Sequence, residues 1–175
     1  SADHLIKSYI RTYNLPAIIT NCCNNYGPFQ FPEKLIPKVI FSIIKKNIIK
    51  VYGNGKNIRE WIYVEDHVNI LIELMNSKKY GETFNIGSGF EISNIKLVNM
   101  ICNYLDKKLN LKKSSKKLIR YTADRKGHDF RYSLNSDKVF RETNYDIKNN
   151  FRTNLYKTID WYYENRKLFL SKYFT

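Results

Sequence analysis

The chain has 175 residues, of which 43% are hydrophobic and 15% aromatic, and its formal net charge is +14 at pH 7. This composition is typical of a folded domain with a hydrophobic core and excludes an intrinsically disordered chain. No run of about 18 apolar residues occurs, which excludes a membrane-spanning helix. The first residues contain no apolar signal region, so we expect a cytoplasmic protein with no membrane partner.

The excess of positive charge favours anionic partners in general, such as phosphates or nucleic acids. The lysines, however, are scattered or form short pairs such as Lys45-Lys46 and Lys112-Lys113, and Asn, Ile, Lys and Tyr are frequent throughout. This pattern indicates a compositional drift of the whole sequence more than a basic stripe on one face. A nucleic-acid-binding module is therefore the weaker hypothesis, since it needs aromatic and basic residues interleaved on an exposed sheet, whereas most Tyr and Phe fall on predicted core faces.

The three cysteines predict neither a metal site nor a disulfide framework. Cys22 and Cys23 are neighbours and Cys102 is distant, which is not a metal-ligand spacing, and an odd count argues against a disulfide framework. We expect buried thiols in a reducing compartment.

Hydrophobic periodicity predicts alternating helices and strands up to residue 87. A helix is predicted over 3–13, with Leu5, Ile6, Tyr9, Ile10 and Tyr13 at helical spacing. It is followed by a strand over 17–23 that is apolar on both faces, as buried parallel strands are. A loop over 24–28 follows it. The next predicted elements are a helix over 33–47, strands over 48–52 and 59–64, a helix capped by Glu65 and Asp66 with Val68, Leu71, Ile72 and Met75 on one face, and a strand over 83–87.

The rest of the chain predicts a smaller mixed region. Ser93 is a plausible N-cap for a helix that carries Leu97 to Leu105, and charged and polar loops are expected at 112–117 and 125–129. The remaining predicted elements are a strand over 119–121, a helix over 136–142 and a last helix from Thr153 with Leu155, Ile159 and Tyr162 inward. The alternation predicts an α/β fold, although only about two strands look buried on both faces and a doubly wound sheet needs about five or more. We therefore predict part of such a sheet plus a small mixed α/β lobe.

The sequence contains no motif that would hold a dinucleotide by itself. A G-x-G-x-x-G turn is absent, and Gly87-Ser88-Gly89 lacks the third glycine and follows a late strand. Walker-type loops, HExxH and GxSxG are absent as well.

Several polar groups stand after strands or before helices, where ligands of α/β folds usually bind. Asn24 and Asn25 follow the most buried strand, Arg59 precedes an aromatic strand, and Arg125 and His128 share a loop. Arginine grips a phosphate in a fork that lysine cannot copy. Taken singly, each of these residues is more often a turn residue or a surface charge.

Four groups of segments carry a family resemblance. They are TNCCNNYGP at 20–28 with FPEKLIP at 31–37, YGNG at 52–55 with REWIYVEDH at 59–67, GETFNIG at 81–87, and ADRKGHD at 123–129 with RY at 131–132. In this order and spacing they resemble the dTDP-glucose 4,6-dehydratases, which belong to the extended short-chain dehydrogenase/reductases (the NAD-dependent epimerase/dehydratase family). The resemblance covers nearly the whole chain.

The resemblance implies a substrate site for a nucleotide sugar and a role for each matching residue. Asn24 would contact the substrate, and Asn25 would lie on the nicotinamide side of the NAD cofactor. The remaining expected substrate-binding residues are Lys34, Leu35 and Asn94 for the nucleotide, Tyr52 near its base, and Arg59, Arg125 and His128 around the diphosphate. The assignment depends on Arg59 and Arg125 sharing one cavity.

Two positions depart from the family pattern. Lys50 and Lys126 stand where the family usually has proline. Lys126 loosens a loop that proline would stiffen, or it supplies another phosphate contact.

The resemblance also implies that this is the C-terminal, substrate-binding half of such an enzyme. The reaction converts dTDP-glucose to dTDP-4-keto-6-deoxyglucose, a step in deoxysugar biosynthesis, and its base is the Tyr of a Tyr-x-x-x-Lys motif that would precede Ser1. We therefore expect no catalytic residue in this chain, no turnover and no NAD binding by the chain alone, and a separate N-terminal NAD-binding half as a candidate partner. Residues 1–23 would be a remnant of the NAD-binding fold and 24–175 the substrate-binding region, with 83–87 returning to the main sheet.

Three alternatives stay open. The chain could be a nucleotide-sugar-binding remnant without turnover in any partner, another extended short-chain enzyme such as a UDP-sugar epimerase or decarboxylase, or the basic nucleic-acid-binding module described above.

Overall fold

The structure, a computed structural model, describes residues 1–143, 145, 147 and 150–173, with side chains up to Phe169. The chain divides into two units. Unit 1 comprises residues 1–25, 60–90 and 133–149, and unit 2 comprises residues 26–59, 91–132 and 150–175. The boundary predicted between residues 23 and 24 stays a prediction.

Helices and strands alternate along the chain. The helices are α1 Ala2–Tyr13, α2 Leu35–Ile44, α3 Val64–Ser77, α4 Asn94–Lys108, α5 Asp137–Glu142, α6 Phe151–Glu164 and α7 Arg166–Tyr173, with a 3-10 helix at Ser115–Leu118. The strands are β1 Ile19–Cys22, β2 Asn24–Tyr26, β3 Ile49–Tyr52, β4 Ile58–Tyr63, β5 Thr83–Ile86, β6 Glu91–Ser93, β7 Ile119–Thr122 and β8 Arg131–Tyr132.

Unit 1 is built on a parallel strand pair. β1 and β5 pair with Ile19 opposite Thr83 and Cys22 opposite Ile86. Helices α3 and α5 contribute to one buried cluster formed by Cys23, Ile62, Ile70, Leu74, Phe84, Ile86 and Val139. Since β1 and β5 form a two-stranded sheet in the described part of the chain, the prediction that β1 is buried on both faces is wrong: Asn21 and Cys22 are exposed.

Unit 2 has a second parallel pair, β3 with β7, in which Ile49 lies opposite Ile119. β4 begins in this unit and pairs in parallel with β8, so that Arg59 lies opposite Tyr132. The core of the unit is formed by α2, α4 and α6, whose fully buried side chains include Ile36, Ile40, Leu97, Val98, Ile101, Leu155, Ile159 and Tyr162. Pro37 is the third residue of α2, within the first turn where a missing N–H costs no helical hydrogen bond, and the inward side chains predicted for the last helix are confirmed.

Two predicted apolar helix faces are exposed. α1 buries none of its residues, and Leu5 and Tyr13 are 61% and 70% exposed. α3 buries Ile70 and Leu74, whereas Val68, Ile72 and Met75 stay exposed. Amphipathic spacing identifies an apolar face but not what covers it.

Most of the other differences between the predicted and the observed secondary structure are short elements. β2 lies where a loop was predicted, and β6, β8 and the 3-10 helix have no counterpart among the predicted elements. Elements of two to four residues are too short to show a hydrophobic period. None of the described helices combines the length and the apolar character needed to cross a bilayer.

Candidate functional site

The predicted diphosphate residues line one open pocket in unit 2. The pocket has a volume of about 230 Å³ and is lined by Arg59, Arg125, Lys126, Gly127, His128 and Asp129. Three of these residues are basic, Arg59, Arg125 and Lys126, and one, Asp129, is acidic. The pocket is therefore an electropositive recess with donors on several sides, as an anion with several oxygens requires.

A turn between β7 and β8 supplies most of this lining. The backbone N–H of His128 donates to the carbonyl of Arg125 at 3.2 Å, and Gly127, the third residue of the turn, has a φ of 68°. A type II turn needs a positive φ at this position, which glycine adopts without strain. Lys126 occupies the second position, where proline is favoured, so this departure from the family pattern leaves the turn possible and adds a cation to the pocket.

The backbone holds the guanidinium of Arg59 in place. Nη1 donates to the carbonyl of Ile58 at 2.7 Å, and Nη2 donates to the carbonyl of Asp129 at 2.9 Å. The parallel pairing of β4 with β8 brings these groups together. Arg59 is thus ordered before any ligand binds, which lowers the entropy lost on binding.

Arg125 is more exposed and is supported by an aromatic ring. Its guanidinium carbon lies 5.3 Å from the centre of the Tyr52 ring, a cation–π distance. Tyr52, the last residue of β3, is 46% exposed. Its ring therefore offers a partly exposed flat surface beside the basic pocket.

His128 is fixed by two neighbours. Its Nδ1 lies 2.6 Å from Oδ1 of Asp124 and 3.3 Å from Nδ2 of Asn57, and its side chain is 6% exposed. Asn57 is buried and also donates to the carbonyl of Asp129 at 3.2 Å. The hydrogen bond from His128 is the largest influence on the Asp124 carboxyl and lowers its pKa. Burial acts in the opposite direction, and the backbone N–H and the charge of Arg125 add to the lowering. Asp124 therefore stays a carboxylate beside the ring.

The other nucleotide residues predicted in unit 2 lie at helix starts. Lys34 precedes α2, and its Nζ is 3.2 Å from Oε1 of Glu33 at an exposed position. Leu35 is the first residue of α2, and Asn94 is the first residue of α4. The backbone N–H of Asn94 donates to the carbonyl of Asn57 at 3.0 Å, which links the start of α4 to the residue that contacts His128.

Asn24 and Asn25 belong to unit 1 and lie in β2. Nδ2 of Asn25 donates to the carbonyl of Cys23 and to Sγ of Cys22, both at 3.3 Å. The structure therefore brings Arg59, Arg125 and His128 into one pocket, whereas the roles of the two asparagines stay predictions.

Comparison with known proteins identifies the family of the chain. The family profile of the GDP-mannose 4,6 dehydratases matches residues 1–158. The chain belongs to this family. It is 46% identical over 165 residues to a dTDP-glucose 4,6-dehydratase of Shigella flexneri, a match that covers 94% of this chain and 46% of the relative.

Solved structures of relatives have the same fold. DesIV, a dTDP-glucose 4,6-dehydratase of Streptomyces venezuelae with NAD and TYD bound, matches with a TM-score of 0.87 and 38% identity over 95% of this chain and 50% of that chain. The Bacillus anthracis dTDP-glucose 4,6-dehydratase in complex with NAD matches with a TM-score of 0.85 and 37% identity over 95% of this chain and 51% of that chain. The predicted resemblance and the predicted partial α/β fold are confirmed, and this dehydratase-family chain spans about half the length of the relatives it matches.

Sequence reasoning missed Asn57 and Asp124 as parts of the site. Asp124 falls in the quoted 123–129 segment, but nothing in the sequence distinguishes a carboxylate that holds a histidine from one that faces solvent. Asn57 is 5% exposed, and a buried amide between a turn and a strand has no sequence pattern of its own. Among the described residues, no group of three or more His, Cys, Asp or Glu side chains could hold a metal ion.

The two cysteines beside Asn24 should differ in reactivity. Burial, with a further contribution from the charge of Glu60, raises the pKa of the Cys23 thiol to about 12, whereas Cys22 is exposed. Burial also raises the pKa of Cys102. Because the thiolate is the reactive form, we expect iodoacetamide at mildly alkaline pH to label Cys22 alone in the folded chain and all three cysteines after denaturation. Peptide mass spectrometry checks this, and labelling of Cys23 in the folded chain would contradict it.

Proposed function

We propose that this chain is the substrate-binding half of an NAD-dependent dTDP-glucose 4,6-dehydratase and that unit 2 binds the diphosphate of the nucleotide sugar. The observation that carries the proposal is the pocket shared by Arg59, Arg125 and His128, three residues that the family resemblance assigns to one diphosphate. A cytoplasmic location remains part of the proposal.

The charges of the pocket suit a diphosphate diester, which carries about two negative charges. Arg59 is pinned by two backbone carbonyls, and Arg125 rests on the Tyr52 ring. A hydrogen bond to a charged group contributes roughly 1.5–3 kcal/mol, with the lower end applying to the exposed Arg125. Tyr52 offers a surface against which a pyrimidine base can stack.

We infer that this chain does not make an NAD site by itself. The sequence has no glycine-rich turn, and β1 and β5 form a two-stranded sheet in the described part of the chain. Nδ2 of Asn25, the residue expected on the nicotinamide side, donates to the carbonyl of Cys23, two residues earlier in the chain. NAD, which is present in the solved relatives, would therefore need binding groups from another polypeptide.

Unit 1 presents a surface for such a partner. Leu5, Ile6, Tyr9 and Tyr13 of α1 are exposed, and a groove of about 340 Å³ is lined by Pro16, Ile18, Thr20, Leu71, Leu74, Met75 and Tyr80. Exposed apolar helix faces and apolar grooves of this kind favour an interaction site. The relatives are about twice as long as this chain, so we propose the NAD-binding half of the same family as the occupant.

Reconstitution tests the proposal. We expect the chain alone to be inactive on dTDP-glucose, and co-expression with the N-terminal half of a dTDP-glucose 4,6-dehydratase to give a copurifying complex that forms the 4-keto-6-deoxy sugar. A complex that binds dTDP without turnover would favour the binding remnant, and turnover of a UDP-sugar in preference to dTDP-glucose would favour another extended short-chain enzyme. Failure of the two halves to associate would contradict the proposed partner.

A further inference from the structure

The carboxylate of Asp124 contacts two residues of the basic pocket, Arg125 and His128, and the turn that follows β3. Its Oδ1 accepts the backbone N–H of Arg125 at 2.9 Å and lies 2.6 Å from Nδ1 of His128. The carboxylate also lies against Gly53, where a Cβ atom would come within 2.8 Å of Oδ2. Gly53 has a φ of 54° and follows β3 directly, so this turn leaves room for Asp124 where another residue would not.

The geometry assigns the proton on Nδ1. Nδ1 has two polar neighbours, the Asp124 carboxylate at 2.6 Å and Nδ2 of Asn57 at 3.3 Å. The amide of Asn57 has another acceptor, the carbonyl of Asp129. The carboxylate can only accept, so Nδ1 carries the proton and Nε2 is the nitrogen that is left for the pocket.

We propose that Asp124 is a positioning residue of the diphosphate pocket, which fixes the orientation and the tautomer of His128 and anchors the turn that carries Arg125. This inference rests on the proposed function of the pocket. A carboxylate near an anion-binding site should by charge alone weaken anion binding. Asp124 instead strengthens it, because it holds the His128 ring and the Arg125 N–H in the arrangement in which these two residues line the pocket.

A second carboxylate in the same loop provides a matched control. Asp129 also lines the pocket, but it is the Asp129 backbone carbonyl that holds Arg59 and Asn57. Asp124→Asn and Asp129→Asn make the same change in net charge within the same loop, and an asparagine at 124 can still accept the Arg125 N–H. A purely electrostatic effect predicts tighter binding of an anion by both variants. Positioning predicts opposite signs.

The probe is inorganic pyrophosphate, titrated into the full chain and followed by NMR. We expect Asp124→Asn to raise the Kd about tenfold, the size of one charge-assisted hydrogen bond, while Asp129→Asn lowers it. Imidazole ¹⁵N shifts at alkaline pH should show one Nδ1-protonated tautomer of His128 in the wild type and a mixture in Asp124→Asn. The double variant Asp124→Asn/His128→Gln should bind pyrophosphate no more weakly than the single variant His128→Gln, because Asp124 acts through His128.

The outcomes distinguish failure of the proposed diphosphate site from failure of the positioning role of Asp124. No binding of pyrophosphate by the wild type would overturn the proposed diphosphate site itself. Binding by the wild type together with equal or tighter binding by Asp124→Asn would overturn the positioning role alone. If the amide spectrum shows that Asp124→Asn is unfolded, the tautomer of His128 in the wild type tests the positioning role of Asp124. A ring protonated on Nε2 instead of Nδ1 would overturn that role.

Discussion

Replacement of both Arg59 and Arg125 by alanine is expected to raise the Kd for dTDP about 100- to 1,000-fold in the reconstituted enzyme, since each guanidinium contributes about 1.5–3 kcal/mol to binding of a charged group and the exposed one the least. Titration calorimetry with dTDP measures the effect. The two substitutions should not change the association of the halves, because neither side chain belongs to unit 1.

The two single substitutions should raise the Kd for dTDP by different amounts. Arg59 is held by two backbone carbonyls, so little side-chain entropy is lost when it binds a phosphate, and Arg59→Ala should have the larger effect. Arg125 is exposed and rests on one ring, so Arg125→Ala should have the smaller effect. Replacement of either residue by lysine keeps the charge but loses the fork and should fall between wild type and alanine.

Arg120 provides the control. It is an exposed arginine of unit 2 whose Nη1 donates to the carbonyls of Lys117 and Ile119, and it does not line the pocket. Arg120→Ala lowers the net charge by one unit and should leave the Kd for dTDP nearly unchanged. If Arg120→Ala weakened binding as much as Arg59→Ala, the effect would come from the overall charge and the diphosphate assignment would fail.

The sequence predicted which residues share the basic pocket better than it predicted what holds them there. Family motifs identified Arg59, Arg125 and His128 before their geometry was known, because each lies in a segment with a recognisable pattern. The contacts that hold them are backbone carbonyls of Ile58 and Asp129 and the side chains of Asn57 and Asp124. Such contacts depend on the pairing of β4 with β8 and on the turn that precedes β8, and no local sequence pattern encodes this arrangement.

The apolar helix faces show a second limit of prediction from the sequence. The spacing of Leu5, Tyr9 and Tyr13 predicted an amphipathic helix, and α1 is one, yet the face is exposed. The same holds for Met75 in α3. Periodicity reports which side of a helix avoids water, while burial depends on a neighbour that the periodicity does not contain. The inward residues of α6 were predicted correctly because α2 and α4 of the same unit cover them.

Replacement of Gly87 by alanine is expected to destabilise unit 1 by about 3 kcal/mol, at the upper end of the usual cost of overpacking. An added Cβ would lie 2.8 Å from Cδ of Glu60 and still closer to Oε1. Glu60 cannot move away easily, because it is fully buried and its two oxygens accept the backbone N–H groups of Gly89 at 2.7 Å and Leu134 at 2.8 Å. Hydrogen exchange of the amides in the β1–β5 pair measures the loss of stability in this unit.

Two comparisons separate the steric clash of Gly87→Ala with Glu60 from the other costs of replacing a glycine. One is the Gly89→Ala variant, and the other is Gly87→Ala made in a chain that already carries Glu60→Ala. Gly89 has open space around its Cβ position and a φ of 73°, so Gly89→Ala should cost only the roughly 1–2 kcal/mol of a left-handed alanine. Glu60→Ala should itself destabilise unit 1, since it leaves the Gly89 and Leu134 N–H groups without their acceptor. In that background, however, Gly87→Ala should cost less than about 1 kcal/mol, because the atoms it would meet are gone. An equal cost of Gly87→Ala in both backgrounds would show that the carboxylate of Glu60 is not what requires a glycine at this position.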